Sequence, residues 1–173
     1  MSEATSAEDV VVNDASCLID LRKGRLLHVL VRLPCRLIVP YPVRHSELLD
    51  FTPQEWRQLD EGGMETLDLP PDAVAAAFAV RRDNPRLSVN DCLCLVATEM
   101  CNRGILLTGD GTLRRAAMKR GVRVHGVLWA VDQLSALCPA DLLIGALEAW
   151  ASDAAVFLPA EEIALRLARL RAG

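Results

Sequence analysis

Asp14, Glu47, Asp91 and Asp110 are four carboxylates whose positions point to one piece of chemistry. Asp14 closes the apolar run "VVVN", and Asp110 follows "ILLT" across a single glycine. Asp91 stands three residues after Ser88, at the start of a helical apolar pattern, and Glu47 sits in the stretch that leaves "RLIVP". Carboxylates gathered within a few ångströms repel, so their pKa values rise or the fold loses stability unless a cation lies between them. Hard divalent cations such as Mg²⁺ or Mn²⁺ suit an all-oxygen set. A site of that kind activates a water and neutralises a phosphate in an in-line displacement, with no serine, cysteine or histidine nucleophile. Each acid also has a plainer role when taken singly. Asp14 and Asp110 fit helix N-caps, Ser88 and Asp91 fit a capping box, and Glu47 fits a solvated helical glutamate.

The elements that must position these acids are legible as apolar runs. "VVVN", "RLIVP" (36–40), "ILLT" (105–108) and "VRVH" (122–125) read as buried strands, and "METLDL" (64–69) as an edge strand. Between them lie helical patterns. "DASCLIDL" and "GRLLHVLVRL" are helical by leucine spacing, and a helix through "VRHSELLDF" would place Glu47 about two turns in. Thr52, Pro53 and Glu55 form a capping-box start, and "PPDAVAAAFAVRR" begins with proline and ends in arginines. "SVNDCLCLVATEMCNRG" is stopped by Gly104, and "TLRRAAMKR" by Gly121. Continuous apolar strands alternating with helices predict an α/β fold of three layers, α/β/α, with a doubly wound, mainly parallel sheet. In such a sheet functional groups gather at the carboxyl ends of the strands, which is where the four acids fall.

The 173 residues suit one domain, here residues 9–138, preceded by a loose polar tail over 1–8 and followed by a helical extension over 139–173. In that extension Leu142, Leu143, Ala146, Leu147 and Trp150 share one face, as do Ile163, Leu167 and Leu170, so both helices should pack on the domain or on a second copy. The composition is 51% hydrophobic but only 4% aromatic, which predicts an aliphatic core. A net charge of −4 argues against holding nucleic acid mainly by neutralising its backbone, but not against a nuclease that engages it through metal ions. "MSEATSAEDV" has neither the basic nor the apolar region of a signal peptide, and no apolar run reaches the ~18 residues of a membrane span, so a soluble, cytoplasmic protein is expected. The six cysteines form no CxxC pair and read as buried free thiols.

"VVNDASCLIDL", "RLIVPYPVRHSELL" and "LSVNDCLCLVATEMCNRGILLTGDGTLRRAAMKRGVRVHG" together resemble the PIN-domain nucleases, among them the toxin subunits of VapBC-type toxin-antitoxin pairs. The family pattern is Asp-x-Ser/Thr after the first strand, Glu after a "VP" strand, an "LSxxD" helix and "TGD" after a later strand. Asp14-Ala-Ser16, Glu47, Leu87 to Asp91 and Thr108 to Asp110 match it in order, over roughly residues 10–135. The resemblance implies Mg²⁺- or Mn²⁺-dependent cleavage of RNA, with Asp14, Glu47, Asp91 and Asp110 as metal-binding catalytic acids and Ser16 and Thr108 as hydroxyls that orient them. It also implies a homodimer and, for a toxin, a small antitoxin partner. The two last helices extend the chain beyond the compact toxins and are more like a longer bacterial PIN subgroup.

Arg114 and Arg115 lie nearest the acids and could hold RNA phosphates, or simply form a solvated face. "TGDGTL" is half of a dinucleotide fingerprint, but Arg114 replaces its third glycine and Asp110 would repel a pyrophosphate. His28, His45 and His125 read as structural, and Trp129 and Trp150 as core or interface. A PIN-fold binding module that has lost catalysis and works through its C-terminal helices is the alternative from a different class. A phosphatase on a similar sheet lacks the Asp-x-Asp pair, since position 16 is serine.

Overall fold

Valine and isoleucine runs bounded by polar or proline residues form strands because β-branched side chains pack well on a pleated, covered surface. The structure, a computed structural model, describes residues 5–173. Its elements run β1 (Val10–Asn13), α1 (Ala15–Lys23), α2 (Leu27–Leu30), β2 (Arg36–Pro40), α3 (Tyr41–Ser46), α4 (Pro53–Glu61) and β3 (Met64–Leu67). There follow α5 (Pro71–Asp83), α6 (Val89–Met100), β4 (Gly104–Leu107), α7 (Gly111–Lys119), β5 (Arg123–His125), α8 (Val127–Leu134), α9 (Ala140–Ser152) and α10 (Ala160–Ala172).

The five strands form one sheet in the order β3-β2-β1-β4-β5, with every pairing parallel. The chain moves outward from β1 to β2 and β3, then crosses to the other side of β1 for β4 and β5. Right-handed crossovers running in opposite directions place their helices on opposite faces, which gives the three-layer α/β/α arrangement expected from the strand pattern. The reversal lies between β1 and β4, and the crevice outside their carboxyl ends is where such sheets bind ligands. Asp14 and Asp110 stand on either side of it.

Three expectations are corrected. "VRVH" is not a fully buried strand: β5 is the outermost strand beside β4 and its residues are half-buried. "GRLLHVLVRL" yields only the single turn α2, because Pro34 disfavours helical backbone at Leu33. The helix after "RLIVP" ends at Ser46, so Glu47 is its C-cap residue rather than a mid-helix one. There the Ser46 hydroxyl donates to the Pro42 carbonyl at 2.5 Å, and the N–H groups of Glu47 and Leu48 both turn back to the Val43 carbonyl. Burial of Leu48 then carries the chain inward. Of the cysteines, all free, Cys17, Cys92 and Cys94 are buried as expected, whereas Cys35, Cys101 and Cys138 are partly exposed.

At the amino-terminal edge of the sheet, buried Asp9 binds Arg123 at 2.7 Å and Arg103 at 3.1 Å, tying the entry to β1 to the starts of β4 and β5. Burial alone would push its carboxyl up, but Arg123, the Ser6 N–H and Arg103 together hold it well below the usual range. Of the tail expected over 1–8, residues 1–4 lie outside the described residues, while the Thr5 N–H donates to Gln133 Oε1 at 2.8 Å.

Leu143, Ala146, Leu147 and Trp150 of α9 are buried, while Leu142, expected on the same face, is exposed. α9 packs on α1 and on α10. Arg166 of α10 pairs with Asp132 of α8 at 2.6 Å, so the last helix is clamped back onto the domain. No helix among the described residues is long and apolar enough to cross a membrane.

Candidate active site

Of the two acids that fit helix N-caps, Asp110 caps and Asp14 does not. It occupies the N-cap position of α1, yet its side chain makes no capping hydrogen bond. Instead Oδ2 accepts from the Ser16 hydroxyl at 2.6 Å and from the Thr108 hydroxyl at 2.8 Å. Those two hydroxyls in turn accept from the turn after β4: Gly109 N–H donates to Ser16 Oγ at 2.9 Å, and Asp110 N–H to Thr108 Oγ1 at 3.0 Å. Ser16 and Thr108 thus lock the β1 and β4 termini together around one buried carboxylate. Burial pushes the Asp14 carboxyl up, the two hydroxyls oppose this, and the charge of Asp91 pushes it further up.

Asp91 reciprocates with Ser88 in a full capping box, its Oδ2 accepting from Ser88 N–H at 2.6 Å. Asp110 caps α7, its Oδ1 accepting from Leu113 N–H at 2.6 Å. Capping and chemistry are compatible here, because each cap engages one carboxylate oxygen. Glu47 is held by Asn90, whose Nδ2 donates to Oε1 at 2.7 Å and also to Ser46 Oγ at 3.0 Å. Partial burial raises the Glu47 carboxyl, Asn90 opposes, and the charges of Asp14 and Asp91 raise it again.

Asp14, Glu47 and Asp91 therefore share one electrostatic neighbourhood, and Asp110 is joined to Asp14 through Thr108. Among the described residues none of the four is ion-paired. As the side chains stand, no three His, Cys, Asp or Glu groups among the described residues are drawn close enough to grip one ion. Four unpaired acids, among which Asp91 raises the Asp14 carboxyl and Asp14 and Asp91 raise that of Glu47, are nevertheless a donor set that fits a hard divalent cation, which would relieve the repulsion.

A family model described as a PIN domain matches residues 10–168. The chain belongs to the PIN-domain family. PIN domains are in general nucleases and typically use divalent metal ions, which accords with the unpaired acids at the β1/β4 edge. The match runs through α9 and most of α10, so the helices beyond residue 138 lie within the family's own span. Comparison with curated proteins and with solved structures gave no match.

Two residues of the PIN domain's acid edge escaped sequence reasoning. Asn90 holds Glu47, and its signal was a second polar residue beside Asp91 in the first turn of α6. Asp20 lies one turn after Ser16 on the same face of α1, and a Cβ on Gly109 would stand 3.7 Å from its Oδ2. Burial raises its carboxyl, Lys23 opposes this and Asp153 reinforces it. Arg114 is engaged in the scaffold, its Nη2 donating to the Thr108 carbonyl at 2.9 Å. Arg115 donates to the Thr112 hydroxyl at 3.2 Å, and lines a groove of about 270 Å³ with Arg86 and Lys119, with Asp83 also on its wall. His125 stacks on Trp129 with ring centroids 4.5 Å apart, in keeping with a structural role.

Proposed function

We propose that this PIN domain is an Mg²⁺- or Mn²⁺-dependent endoribonuclease, and that its biological setting is that of a toxin held in check by a small antitoxin. The observation that carries the nuclease reading is buried Asp14, its side chain making no helix cap and no ion pair among the described residues, with the charge of Asp91 raising its carboxyl and the charges of Asp14 and Asp91 raising that of Glu47. Asp14, Glu47, Asp91 and Asp110 would hold the metal. When bound, the ion supplies an activated water and neutralises the phosphate as the phosphorus–oxygen bond to the leaving group breaks. The Ser16 and Thr108 hydroxyls keep Asp14 oriented, Asn90 keeps Glu47 oriented, and the two helix caps fix Asp91 and Asp110.

Metal bound only by the folded chain raises its melting temperature. Mn²⁺ at ~100 times its Kd stabilises by about 2.7 kcal/mol, which for a domain of this size is roughly 5–10 °C. Asp91→Asn is expected to remove most of that rise and, with it, cleavage of a single-stranded oligoribonucleotide. A Mn²⁺ response of equal size in the variant would remove Asp91 from the site.

Arg86, Arg115 and Lys119 are not ion-paired among the described residues, and they offer RNA phosphates a track beside α7. Replacing Arg115 and Lys119 with alanine should weaken RNA binding regardless of sequence and reduce the slope of log K against log[salt] by about 0.7 per lost contact. An unchanged slope would make these cations a solvated face.

The second reading, a catalytically silent binding module, has one observation in its favour: both Asp91 and Asp110 use a carboxylate oxygen as a helix cap. It expects neither a Mn²⁺ response nor cleavage, so the same two measurements separate the readings.

A further inference from the structure

Phe157 is 93% exposed, in a chain with only three phenylalanines and a mainly aliphatic core. A bare ring in water forgoes burial of a large apolar surface, and most chains hide one. Phe157 sits in the connection between α9 and α10 and lines a cleft of about 640 Å³ that Ser16, Gly109 and Asp110 also line. The volume falls within the ~300–1,000 Å³ of ordinary small-molecule sites. Ile19, also exposed, and Leu128 add apolar surface to it.

The charges around the cleft decide what kind of group it receives. Its three cations are already engaged: Lys23 with Asp153 at 3.1 Å, Arg166 with Asp132 and Glu162, and Arg114 with the Thr108 carbonyl. Asp20, Asp110 and Glu162 line the same space. A phosphate entering here would meet carboxylates and no uncommitted cation, whereas a flat, neutral aromatic group would meet a free ring and apolar walls. A polynucleotide with a phosphate at the acids must place its neighbouring nucleoside to one side or the other, and this cleft opens directly from Asp110.

Resting on the ribonuclease reading above, we propose that the cleft between Asp110 and Phe157 receives one unstacked base of single-stranded RNA next to the cleaved linkage, with the Phe157 ring as its stacking platform. Unpaired bases splayed from a strand stack on aromatic side chains in a sequence-tolerant way. The subsite would therefore select for unpaired RNA rather than for a particular base.

The test is a cycle of cleavage kinetics in Mn²⁺, using a short oligoribonucleotide and its versions carrying an abasic residue at each position flanking the cut. Phe157→Ala should raise KM roughly 5- to 150-fold on intact RNA, the range of one base–aromatic stack. Phe157→Trp should restore it. One abasic position should raise KM by a similar factor in the wild type and add nothing to Phe157→Ala. Since the side chain is exposed, the substitution leaves the core intact, and an unchanged melting temperature would confirm that. Wild-type KM in Phe157→Ala, or effects that multiply at every abasic position, would overturn the subsite while leaving the nuclease reading in place. The exposed ring would then belong to a protein contact instead. A wild-type chain that cuts no RNA would overturn both.

Discussion

Asp14→Asn is expected to lower RNA cleavage at least ~100-fold and, in the same protein without metal, to raise the melting temperature. The two effects have one cause. Burial pushes the Asp14 carboxyl above its ordinary value of 3.8, and the Ser16 and Thr108 hydroxyls only partly oppose it, while Asp91 adds to the rise. A carboxyl whose folded pKa exceeds its unfolded one keeps its proton longer in the native state. Stability then falls as pH climbs from about 3.8 through the folded pKa, and the ionised form carries the full cost above that. Glu47 acts in the same direction from 4.5 upward. Asp9 has the opposite sign, since its stabilisation is present above its ordinary 3.8 and is lost only as pH falls through its lowered folded value.

Metal-free wild type should therefore lose stability between pH 4, near the ordinary carboxyl values, and pH 7, and Asp14→Asn should lose less over the same interval. Asparagine keeps an oxygen to accept from Ser16 and Thr108 but never carries the charge. Added Mn²⁺ should reverse the order, lifting the wild type above the variant. Scanning calorimetry at the two pH values, with chelator and with Mn²⁺, reads all four states. A variant that melts below the wild type in chelator at pH 7 would show that Asp14 is held as a structural hydrogen-bond acceptor and that its charge costs the fold little.

What the sequence discloses and what it hides divides by range. The caps at Thr52, Ser88 and Asp110 are local devices in which donor and acceptor lie three residues apart, and all three are present as the spacing implies. The central strands follow from uninterrupted apolar runs. β5 misled because "VRVH" reads as apolar while its burial depends on a neighbouring strand that is absent on its outer side. The end of α3 was hidden because Leu48 burial and the Asn90 contact to Ser46 and Glu47 act across more than forty residues. The electrostatic coupling of Asp14 with Glu47 and Asp91 is likewise a product of strand order, and no local pattern encodes β3-β2-β1-β4-β5.

Trp150→Ala is expected to be the most destabilising of the substitutions considered, although residue 150 lies outside the sheet and its crossovers. Its side chain is 1% exposed, and its indole N–H donates to the Asp20 carbonyl at 2.8 Å. Truncation of a buried tryptophan costs about 3–5 kcal/mol, and the abandoned carbonyl adds about 1 kcal/mol. Against a total stability of ~5–15 kcal/mol that is a large share, equivalent to a fall in melting temperature of roughly 10 °C or more. The contact is close on both sides: a Cβ at Gly24 would approach Trp150 Cζ2 to 2.8 Å. Gly24→Ala alone should thus cost about 1–3 kcal/mol by overpacking, and Trp150→Phe, smaller and without the N–H, should relieve part of it in the double variant. Urea denaturation of the four proteins gives the coupling energy directly. Since Trp150 braces α1, which bears Ser16 and Asp20, kcat should fall alongside stability in Trp150→Ala. Additive effects at positions 24 and 150, with stability near the wild type in Trp150→Ala, would make α9 a separable appendage; strong coupling would make it part of the wall behind the acids.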